Sequence, residues 1–456
     1  MDGKQQKNRN KPTSGGREQS ESLQKPSGGS EPDVAEHETD DHGTQMLMEE
    51  ILARENLTAA LKAVLRNKGA PGIDGMTVEQ LPEYLKGNWN HIRDRLLDGK
   101  YAPQPVRRVE IPKPGGGARK LGIPTVLDRF VQQAVQQVLQ RHWDRTFSDS
   151  SYGFRPGRSA HQAVERARQY IREGRSYVVD MDLEKFFDRV NHDVLMSRIA
   201  RRIQDKRVLK LLRAFLNAGV MENGLVSVSE EGMPQGGPLS PVLSNLLLDE
   251  LDCELEKRGL KFVRFADDCN VYVNSERAGL RVMASITKFL EKRLRLKVNR
   301  EKSAVGKPMR RKFLGFSFTA GSNPKIRMAT QSLERAKTKI RLLTRPTKGR
   351  SLKQIIAELA SYLTGWRAYF GYCETPSVFV KLDKWIRRRL RAVAWRQWKR
   401  GHTRYAALRK RDVDSDLAAQ TCGSAKGPWR ISKSPALNLA LPNGLLAALG
   451  LPSLAR

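Results

Sequence analysis

Two adjacent carboxylates interrupt an apolar stretch of the chain. Residues 262–265 and 269–273 are rich in aromatic and β-branched side chains, which predicts two short strands, and Asp267 and Asp268 lie on the tight turn between them. Taking two like charges out of water is costly unless a cation compensates for them, and Mg²⁺ prefers such oxygen ligands. An ordinary hairpin turn, where Asp is common, is the alternative.

A second acidic strand is predicted over residues 177–188. Asp180 and Asp182 are two residues apart, so both carboxylates face the same side of a strand. If the two acidic strands are neighbours, Asp182 and Asp267 can hold the same cations, whereas Asp180 can instead form a salt bridge. The residues alone leave the choice between Asp180 and Asp182 open.

The net charge of the chain indicates which kinds of molecule it can bind. Its 456 residues include 82 Lys and Arg against 49 Asp and Glu, a formal net charge of +33. An excess of this size indicates a polyanion: RNA, DNA or an anionic membrane surface. No apolar run approaches the roughly 20 residues of a membrane span, and no apolar signal core is evident near the N-terminus. Four well-separated cysteines predict neither a zinc site nor a disulfide framework, which favours a reducing, cytoplasmic setting.

Two segments combine basic residues with glycines or aromatics. Residues 106–124 predict a hairpin with a Gly-rich tip, where backbone and basic side chains can meet phosphate; a solvated basic hairpin is the alternative. Residues 151–164 mix aromatics, glycines and arginines, which suits stacking together with phosphate pairing. Arg155 and Arg158 are therefore predicted to contact primer or template.

From about residue 332 the composition changes to long segments rich in Arg and Lys. Residues 385–400 contain no acid and predict a helix with one apolar face, outside which lie Arg387, Arg388 and Arg391. Basic helices of this kind lie along phosphate backbones, so these arginines are predicted to bind RNA. A membrane-surface helix is the lesser alternative.

Three further segments have distinctive local sequences. Residues 1–44 have almost no large apolar side chains, which predicts a disordered tail. Residues 231–241 form a Gly- and Pro-rich loop, with Ser240 as the expected N-cap of the next helix. Residues 312–318 predict a strand with Gly315 at its centre, where another backbone, such as a primer strand, can approach closely.

From about residue 50 to its end, the chain resembles the group II intron-encoded reverse transcriptase and maturase proteins of bacteria. Seven blocks in the order of that family carry the resemblance. They are Gly-Ala-Pro-Gly-Ile-Asp-Gly (69–75), Ile-Pro-Lys-Pro (111–114), Tyr-Gly-Phe-Arg-Pro-Gly-Arg (152–158), Asp-Leu-Glu-Lys-Phe-Phe-Asp (182–188), Met-Pro-Gln-Gly-Gly-Pro-Leu-Ser-Pro (233–241), Ala-Asp-Asp (266–268) and Phe-Leu-Gly-Phe (313–316).

The resemblance implies an α+β fold, a right-hand polymerase with antiparallel sheet in fingers and palm and a helical thumb. It implies metal-binding catalytic acids at Asp182, Asp267 and Asp268, with Mg²⁺ as the cofactor. Phe187 would lie under the nucleotide sugar and reject a 2′-hydroxyl by crowding, although strand phase cannot separate it from Phe186. The resemblance places further nucleotide contacts at Lys113, Arg119 and Gln235, and the primer-gripping strand at Gly315.

The resemblance also implies a division of the chain: a disordered tail (1–44), fingers and palm (45–330), a helical thumb or maturase domain (331–410) and a DNA-binding tail (411–456). The sequence departs from the family at Phe265, where a Tyr is usual; we expect this to tune fidelity or nucleotide selection. No Cys pairs or His clusters follow Trp429, so we expect no DNA endonuclease of its own.

The implied function is an RNA-directed DNA polymerase that also binds its intron RNA, assists splicing and copies the intron by target-primed reverse transcription. Its partners would be intron RNA, target DNA and primer, and dNTPs, in a bacterial ribonucleoprotein associated with the nucleoid. A splicing cofactor that binds RNA without polymerising is the first alternative, and the presence of all three acids weighs against it. A polymerase domesticated for defence or diversity generation is the second; the thumb and tail blocks weigh against that.

Overall fold

The computed structural model describes residues 46–112, 116–222, 224–227, 231–345 and 349–455. The predicted disordered tail and Lys113 lie outside these ranges. The helices are α1 Leu47–Leu52, α2 Arg54–Asn67, α3 Leu81–Leu97, α4 Val126–Trp143, α5 Ala160–Arg172, α6 His192–Ile199, α7 Lys206–Asn217, α8 Ser240–Lys257, α9 Glu276–Phe289, α10 Thr330–Leu343, α11 Leu352–Phe370, α12 Ser377–Gln397, α13 Gly401–Arg409, α14 Ser415–Cys422, α15 Pro428–Ile431, α16 Pro435–Ala440 and α17 Asn443–Ala448. The strands are β1 Val106–Pro112, β2 Ala118–Ile123, β3 Tyr177–Met181, β4 Val220–Glu222, β5 Leu225–Ser227, β6 Lys261–Phe265, β7 Asp268–Val273, β8 Ala304–Gly306, β9 Phe316–Phe318 and β10 Ile326–Met328. The predicted α+β class is confirmed.

One antiparallel sheet, of order β6-β7-β3-β8, carries both acidic segments. Alternate residues of its central strands enter different cores: Val179 and Val271 lie in one, Val178 and Tyr272 in the other. Helix α9 packs on the first face and α5 on the second. Because both faces are covered, these strands are apolar almost throughout, and a charged residue in them needs a partner.

A second sheet, of order β2-β1-β4-β5, contains the predicted basic hairpin. Its strands β1 and β2 are antiparallel, with Ile111 opposite Arg119. At the base of the hairpin, a Cβ on Gly122 would lie 2.7 Å from Val106 Cγ2 and 3.1 Å from Pro234 Cβ. Glycine is therefore required where the hairpin packs on the loop of residues 231–241.

The C-terminal helices bury apolar faces in two further places. Helices α10, α11 and α12 share a core with β9 and β10. The other end of α12 joins α13, α14 and α16 in a separate core around Trp395, Leu408 and Leu437. Among the residues that the structure describes, no helix combines the length and apolarity needed to cross a membrane.

Two local predictions are wrong. Ser240 is the first residue of α8 rather than its N-cap, and its hydroxyl donates to the carbonyl of Pro234 (2.7 Å). The strand predicted over residues 312–318 is reduced to β9, because Leu314 and Gly315 have φ values of 50° and 85° and form a tight turn. Two consecutive residues with positive φ are typical of a hairpin turn and cannot lie within a pleated strand.

Candidate active site

Asp182 directly follows β3, and its backbone is fixed by a neighbouring loop. Its N–H donates to Ser303 Oγ (3.0 Å), and its carbonyl accepts from the N–H of Asn299 (2.8 Å). In the β3–β7 register Met181 faces Cys269, so Asp182 emerges beside the turn that joins β6 and β7. The end of one strand and the turn between two others therefore meet at one corner of the sheet.

That turn has a demanding backbone conformation. Ala266 has a φ of 56°, in the left-handed region, and Phe265 pairs with Asp268 across the turn. Gly153 lies directly against it, since a Cβ on Gly153 would come within 2.2 Å of the Ala266 nitrogen. The segment before Gly153 is hydrogen-bonded to β6, with the N–H of Tyr152 donating to the Arg264 carbonyl (2.9 Å). Glycine is thus the only residue that fits behind this turn.

A fully buried arginine holds the same turn from within the protein. The Arg264 guanidinium pairs with Asp252 at 2.6 Å, and both side chains are 0% exposed. Its Nη1 donates to the Ala266 carbonyl and to Asn245 Oδ1, each at 3.0 Å. Asn245 in turn donates to the carbonyl of Gly153 (2.8 Å). We call Arg264, Asp252 and Asn245 the buried clamp, because they tie the turn to the glycine beneath it.

Sequence reasoning missed the buried clamp. The sequence did contain a signal for it: Arg264 lies within the largely apolar strand β6, and a buried guanidinium needs an oppositely charged partner just as the carboxylate of Asp267 does. Burial raises the pKa of Asp252, and the adjacent Arg264 guanidinium opposes that increase.

The three predicted acids interact electrostatically. Asp268 reaches the surface, and partial desolvation, followed by the charges of Asp267, Asp182 and Asp180, raises its pKa above the usual range. Burial and then the charge of Asp182 likewise raise the pKa of Asp267, while Arg119 and Lys302 oppose the increase. Asp182 and Asp267 line the same cleft, with an accessible volume of about 1600 Å³. The structure therefore brings the two acidic segments together, as the sequence required.

Asp180 has partners of its own. Arg311 donates to its Oδ2 from Nη2 (2.6 Å) and from Nε (3.0 Å). With the Asn270 amide oriented to satisfy its neighbours, that amide donates to Oδ1 of Asp180 at 3.1 Å. Asp180 is thus a salt-bridged residue, and this arrangement favours Asp182 as the available ligand.

The donor set of this corner fits a hard divalent cation. Oδ2 of Asp182 is buried without a hydrogen bond, although Lys302 Nζ lies 3.3 Å away and most of that lysine is exposed. The raised pKa values of Asp267 and Asp268 indicate that the acids lack sufficient positive charge nearby. Among the residues that the structure describes, no group of three His, Cys, Asp or Glu side chains is arranged so that it could hold a metal ion. The fit to a cation therefore rests on the chemistry of these oxygens and not on a preformed ligand geometry.

The predicted nucleotide contacts with described positions lie on the same cleft. Arg119 lies on β2 and lines the cleft. Gln235 lines it too, and its backbone carbonyl accepts from the N–H of Gly122 (2.8 Å). Of the two adjacent phenylalanines, Phe186 is 2% exposed and belongs to the core, whereas Phe187 is only partly buried. The structure thus distinguishes the two in favour of Phe187 as the residue available to a ligand.

Arg155 is a structural residue rather than a direct ligand of primer or template. It is 7% exposed, and its five N–H donors are taken up by Asp144 and by the carbonyls of Ser148 and Ser151. Arg158 is more accessible and pairs with Asp149 at 2.6 Å. A nucleic-acid contact by Arg158 stays a prediction.

Gly315 lies in the turn before β9, packed against the thumb. Its carbonyl accepts from Ser332 Oγ (2.9 Å), and a Cβ there would lie 3.1 Å from the ring of Phe370. The glycine therefore permits a close approach by the protein's own helices α10 and α11. A primer contact at this turn also stays a prediction.

Of the three arginines of α12 that were predicted to bind RNA, Arg388 and Arg391 contact the C-terminal segment. Arg391 is 9% exposed and donates to the carbonyl of Leu441 (3.0 Å), so the prediction that it lies on the outer face is wrong. Arg388 stacks on Trp429, with its guanidinium carbon 3.7 Å from the ring centroid. Arg387 is paired with Asp383 at 3.6 Å. RNA binding by Arg387 and Arg388 stays a prediction, and Arg391 has no free surface for it.

Carboxylates lie at the end of β3 and on the β6–β7 turn, beside a cleft lined by basic side chains. This arrangement is that of a reverse transcriptase domain. Residues 111–318 match the family described as reverse transcriptase (RNA-dependent DNA polymerase). Residues 333–411 match the group II intron maturase-specific domain, and the two matches together cover more than half of the chain. The chain belongs to the group II intron reverse transcriptase/maturases, as its motifs predicted.

Individual relatives match over part of their length. Protein YkfC of Escherichia coli is 41% identical over 223 residues, which is 47% of this chain and 58% of that protein. The group II intron-encoded protein LtrA of Lactococcus lactis is 37% identical over 213 residues, 45% of this chain and 34% of that protein. The putative COX1/OXI3 intron 1 protein of Saccharomyces cerevisiae is 26% identical over 381 residues, 70% of this chain and 44% of that protein.

Proposed function

We propose that this protein is an RNA-directed DNA polymerase that binds its own group II intron RNA, assists its splicing and copies it into DNA during intron mobility. The observation that carries the polymerase activity is the convergence of Asp182 with Asp267 and Asp268 from separate segments. The raised pKa values of Asp267 and Asp268, and the buried Oδ2 of Asp182 that accepts no hydrogen bond, support a site that needs cations. Templated nucleotidyl transfer is the reaction that such a site serves.

In the proposed reaction Asp182, Asp267 and Asp268 would hold two Mg²⁺ ions. When bound, these ions would lower the pKa of the primer 3′-hydroxyl and neutralise the triphosphate and the departing pyrophosphate. Arg119 supplies further positive charge to the triphosphate, together with Lys113. Gln235 borders the nucleotide and Phe187 underlies its sugar. The buried clamp contributes by holding the turn that carries two of the acids. The protein therefore acts mainly by positioning groups and supplying charge.

The RNA-binding part of the proposal rests on charge and on family. The net charge of +33 indicates a polyanionic partner, and the maturase-specific match runs from within α10 through α13. The proposed partners are intron RNA, target DNA with its primer, and dNTPs, in a ribonucleoprotein of the bacterial cytoplasm and nucleoid. We assign target DNA binding to residues 411–456 as part of the same proposal.

Primer extension tests the polymerase activity. The purified protein should extend a DNA primer annealed to an RNA template when Mg²⁺ and dNTPs are supplied, and EDTA should stop the reaction. Tight RNA binding without any extension would instead support the alternative, a splicing cofactor that does not polymerise. Splicing of the cognate intron RNA at low Mg²⁺ is the matching assay for the maturase activity.

Binding to RNA should weaken steeply as salt rises. A protein that neutralises six to ten phosphates loses roughly a thousandfold or more in affinity between about 50 and 200 mM salt, because counterions are released on binding. Fluorescence anisotropy of a labelled intron fragment over this range gives the slope of log affinity against log salt. A flat response would contradict binding through the basic surfaces.

Replacement of Phe187 by alanine should relax discrimination against ribonucleotides. Removal of the ring makes room for a 2′-hydroxyl, so the ratio of kcat/KM for dNTP over rNTP should fall roughly tenfold to a hundredfold. Phe186→Ala is the matched control; because Phe186 is a core residue, its loss should cost about 3–5 kcal/mol of stability without a selective effect on the sugar. An unchanged ratio in Phe187→Ala would remove Phe187 from this role.

A further inference from the structure

An exposed aromatic ring borders the acidic corner and has no part in the proposed mechanism so far. Phe154 is 45% exposed and lines the cleft that also contains Asp182 and Asp267. Of the three aromatic side chains that line the described part of this cleft, Phe186 is in the core and Phe187 is partly buried, so Phe154 is the exposed one. Cations around the cleft can pair with phosphates, but they leave the bases of a nucleic acid without a partner.

The backbone at Phe154 is strained, with a φ of 59°. Such a conformation is unusual for a bulky residue and persists only where the surroundings impose it. Here both neighbours are fixed: Gly153 lies against the Ala266 turn, and Arg155 uses all its donors inside the protein. Gln140 Nε2 also donates to the Phe154 carbonyl at 3.0 Å.

The strained backbone places the ring of Phe154 at the cleft, because Gly153 and Arg155 on either side of it are both anchored to the protein. A chain selected only for stability would have glycine at position 154, because glycine adopts a positive φ without strain. The structure keeps an aromatic ring there instead, one residue from the glycine that supports the acidic turn.

We propose that Phe154 stacks on a nucleobase with a free face, unpaired or at the end of the template–primer duplex, beside the acidic corner and so positions the duplex for extension. Stacking on an aromatic ring accepts any base, which suits an enzyme that must copy every sequence. The inference rests on the proposed polymerase function. Phe154 is a positioning residue in this scheme, because it contacts the duplex rather than the reacting atoms.

Equilibrium binding of an RNA template annealed to a DNA primer tests the contact without requiring any synthesis. Phe154→Ala should raise the Kd by about 5- to 150-fold, the range for loss of one base–aromatic stack. Phe154→Leu should lose affinity nearly as much, whereas Phe154→Trp should retain it. The control Tyr84→Ala removes an exposed aromatic on α3 outside the cleft and should bind normally. Normal binding by both Phe154→Ala and Phe154→Leu would overturn the proposal.

An abasic scan identifies the strand and the base. A single abasic nucleotide is placed at successive template positions and then at successive primer positions, and binding is measured with the wild-type protein and with Phe154→Ala. At the stacked position the abasic site should weaken binding by the wild type but not by the variant. If every abasic site weakens both proteins equally, Phe154 stacks on no base. Binding is measured without dNTPs, so it does not depend on DNA synthesis. If the protein proved inactive as a polymerase, the proposed function would be disproved, but the effect of Phe154 on binding could still be interpreted.

Phe154→Gly separates stacking from folding. Glycine relieves the positive φ, so this variant should unfold at the same temperature as the wild type or higher while binding template–primer as weakly as Phe154→Ala. A clear loss of thermal stability in Phe154→Gly, with normal binding once folded, would instead make the ring a packing residue and overturn the proposal.

Discussion

Asp267→Ala is expected to abolish DNA synthesis while binding of intron RNA persists. The substitution removes one of three carboxylates proposed to hold the cations, and the transition state then loses several kcal/mol of charge stabilisation, a rate decrease of roughly a thousandfold or more. Extension of a DNA primer on an RNA template measures the synthesis, and anisotropy of labelled intron RNA measures the binding. The basic surfaces that bind RNA do not depend on this side chain.

Two companion variants sharpen this test. Asp267→Asn keeps the shape of the side chain and removes its charge, so it should be about as inactive as alanine. Glu301→Gln removes an exposed carboxylate from the wall of the same cleft, outside the acidic corner, and should retain most of the activity. Unchanged extension by Asp267→Ala would refute the site.

Asp252→Ala is expected to produce the largest loss of stability. It leaves the Arg264 guanidinium fully buried without its carboxylate, and breaking a buried pair in this way costs about 3–5 kcal/mol. Denaturant unfolding monitored by circular dichroism measures the change. Glu83→Gln, which breaks the exposed pair with Lys86, should show no measurable loss. Equal stability of the two variants would show that the buried pair is not needed.

The double variant Asp252→Leu with Arg264→Met separates stability from positioning. Replacing both charges with apolar side chains removes the uncompensated buried charge, so much of the stability should return. The hydrogen bonds that Arg264 donates to the Ala266 carbonyl and to Asn245 are lost with the arginine, so extension should be slow and need more Mg²⁺. Full recovery of activity along with stability would restrict the buried clamp to a folding role.

That the two acidic segments meet could be expected from the sequence for a physical reason. Asp182, Asp267 and Asp268 are charges next to apolar strands, and such charges need compensation wherever the strands lie. The period of two in a strand puts Asp180 and Asp182 on the same side, so the preference for Asp182 came from the family resemblance. The same reasoning applied to Arg264 would have found the buried clamp, since an arginine within β6 carries the same cost of desolvation.

For the arginines, the sequence pattern could not predict which side chains are free to bind nucleic acid. Arg155 and Arg391 have the same composition around them as a phosphate-binding arginine, but backbone carbonyls take their N–H groups. The acceptor of Arg155 at Ser148 lies 7 residues away and depends on how the intervening loop folds back, whereas the acceptor of Arg391 at Leu441 lies 50 residues away and depends on tertiary packing. The tight turn at Leu314 and Gly315 was missed for a related reason, since a positive φ at leucine depends on tertiary packing rather than on propensity.

The last residues of the described chain reach back to the thumb. The carboxylate of Asp383 on α12 accepts from the N–H groups of Leu454 and Ala455 and from the hydroxyl of Ser453. A protein shortened by only this handful of residues would leave that acid with Arg387 as its ion-pair partner but without these three hydrogen-bond donors. The boundary predicted near residue 410 is therefore bridged by direct hydrogen bonds between the long helix of the thumb and the last residues of the described chain.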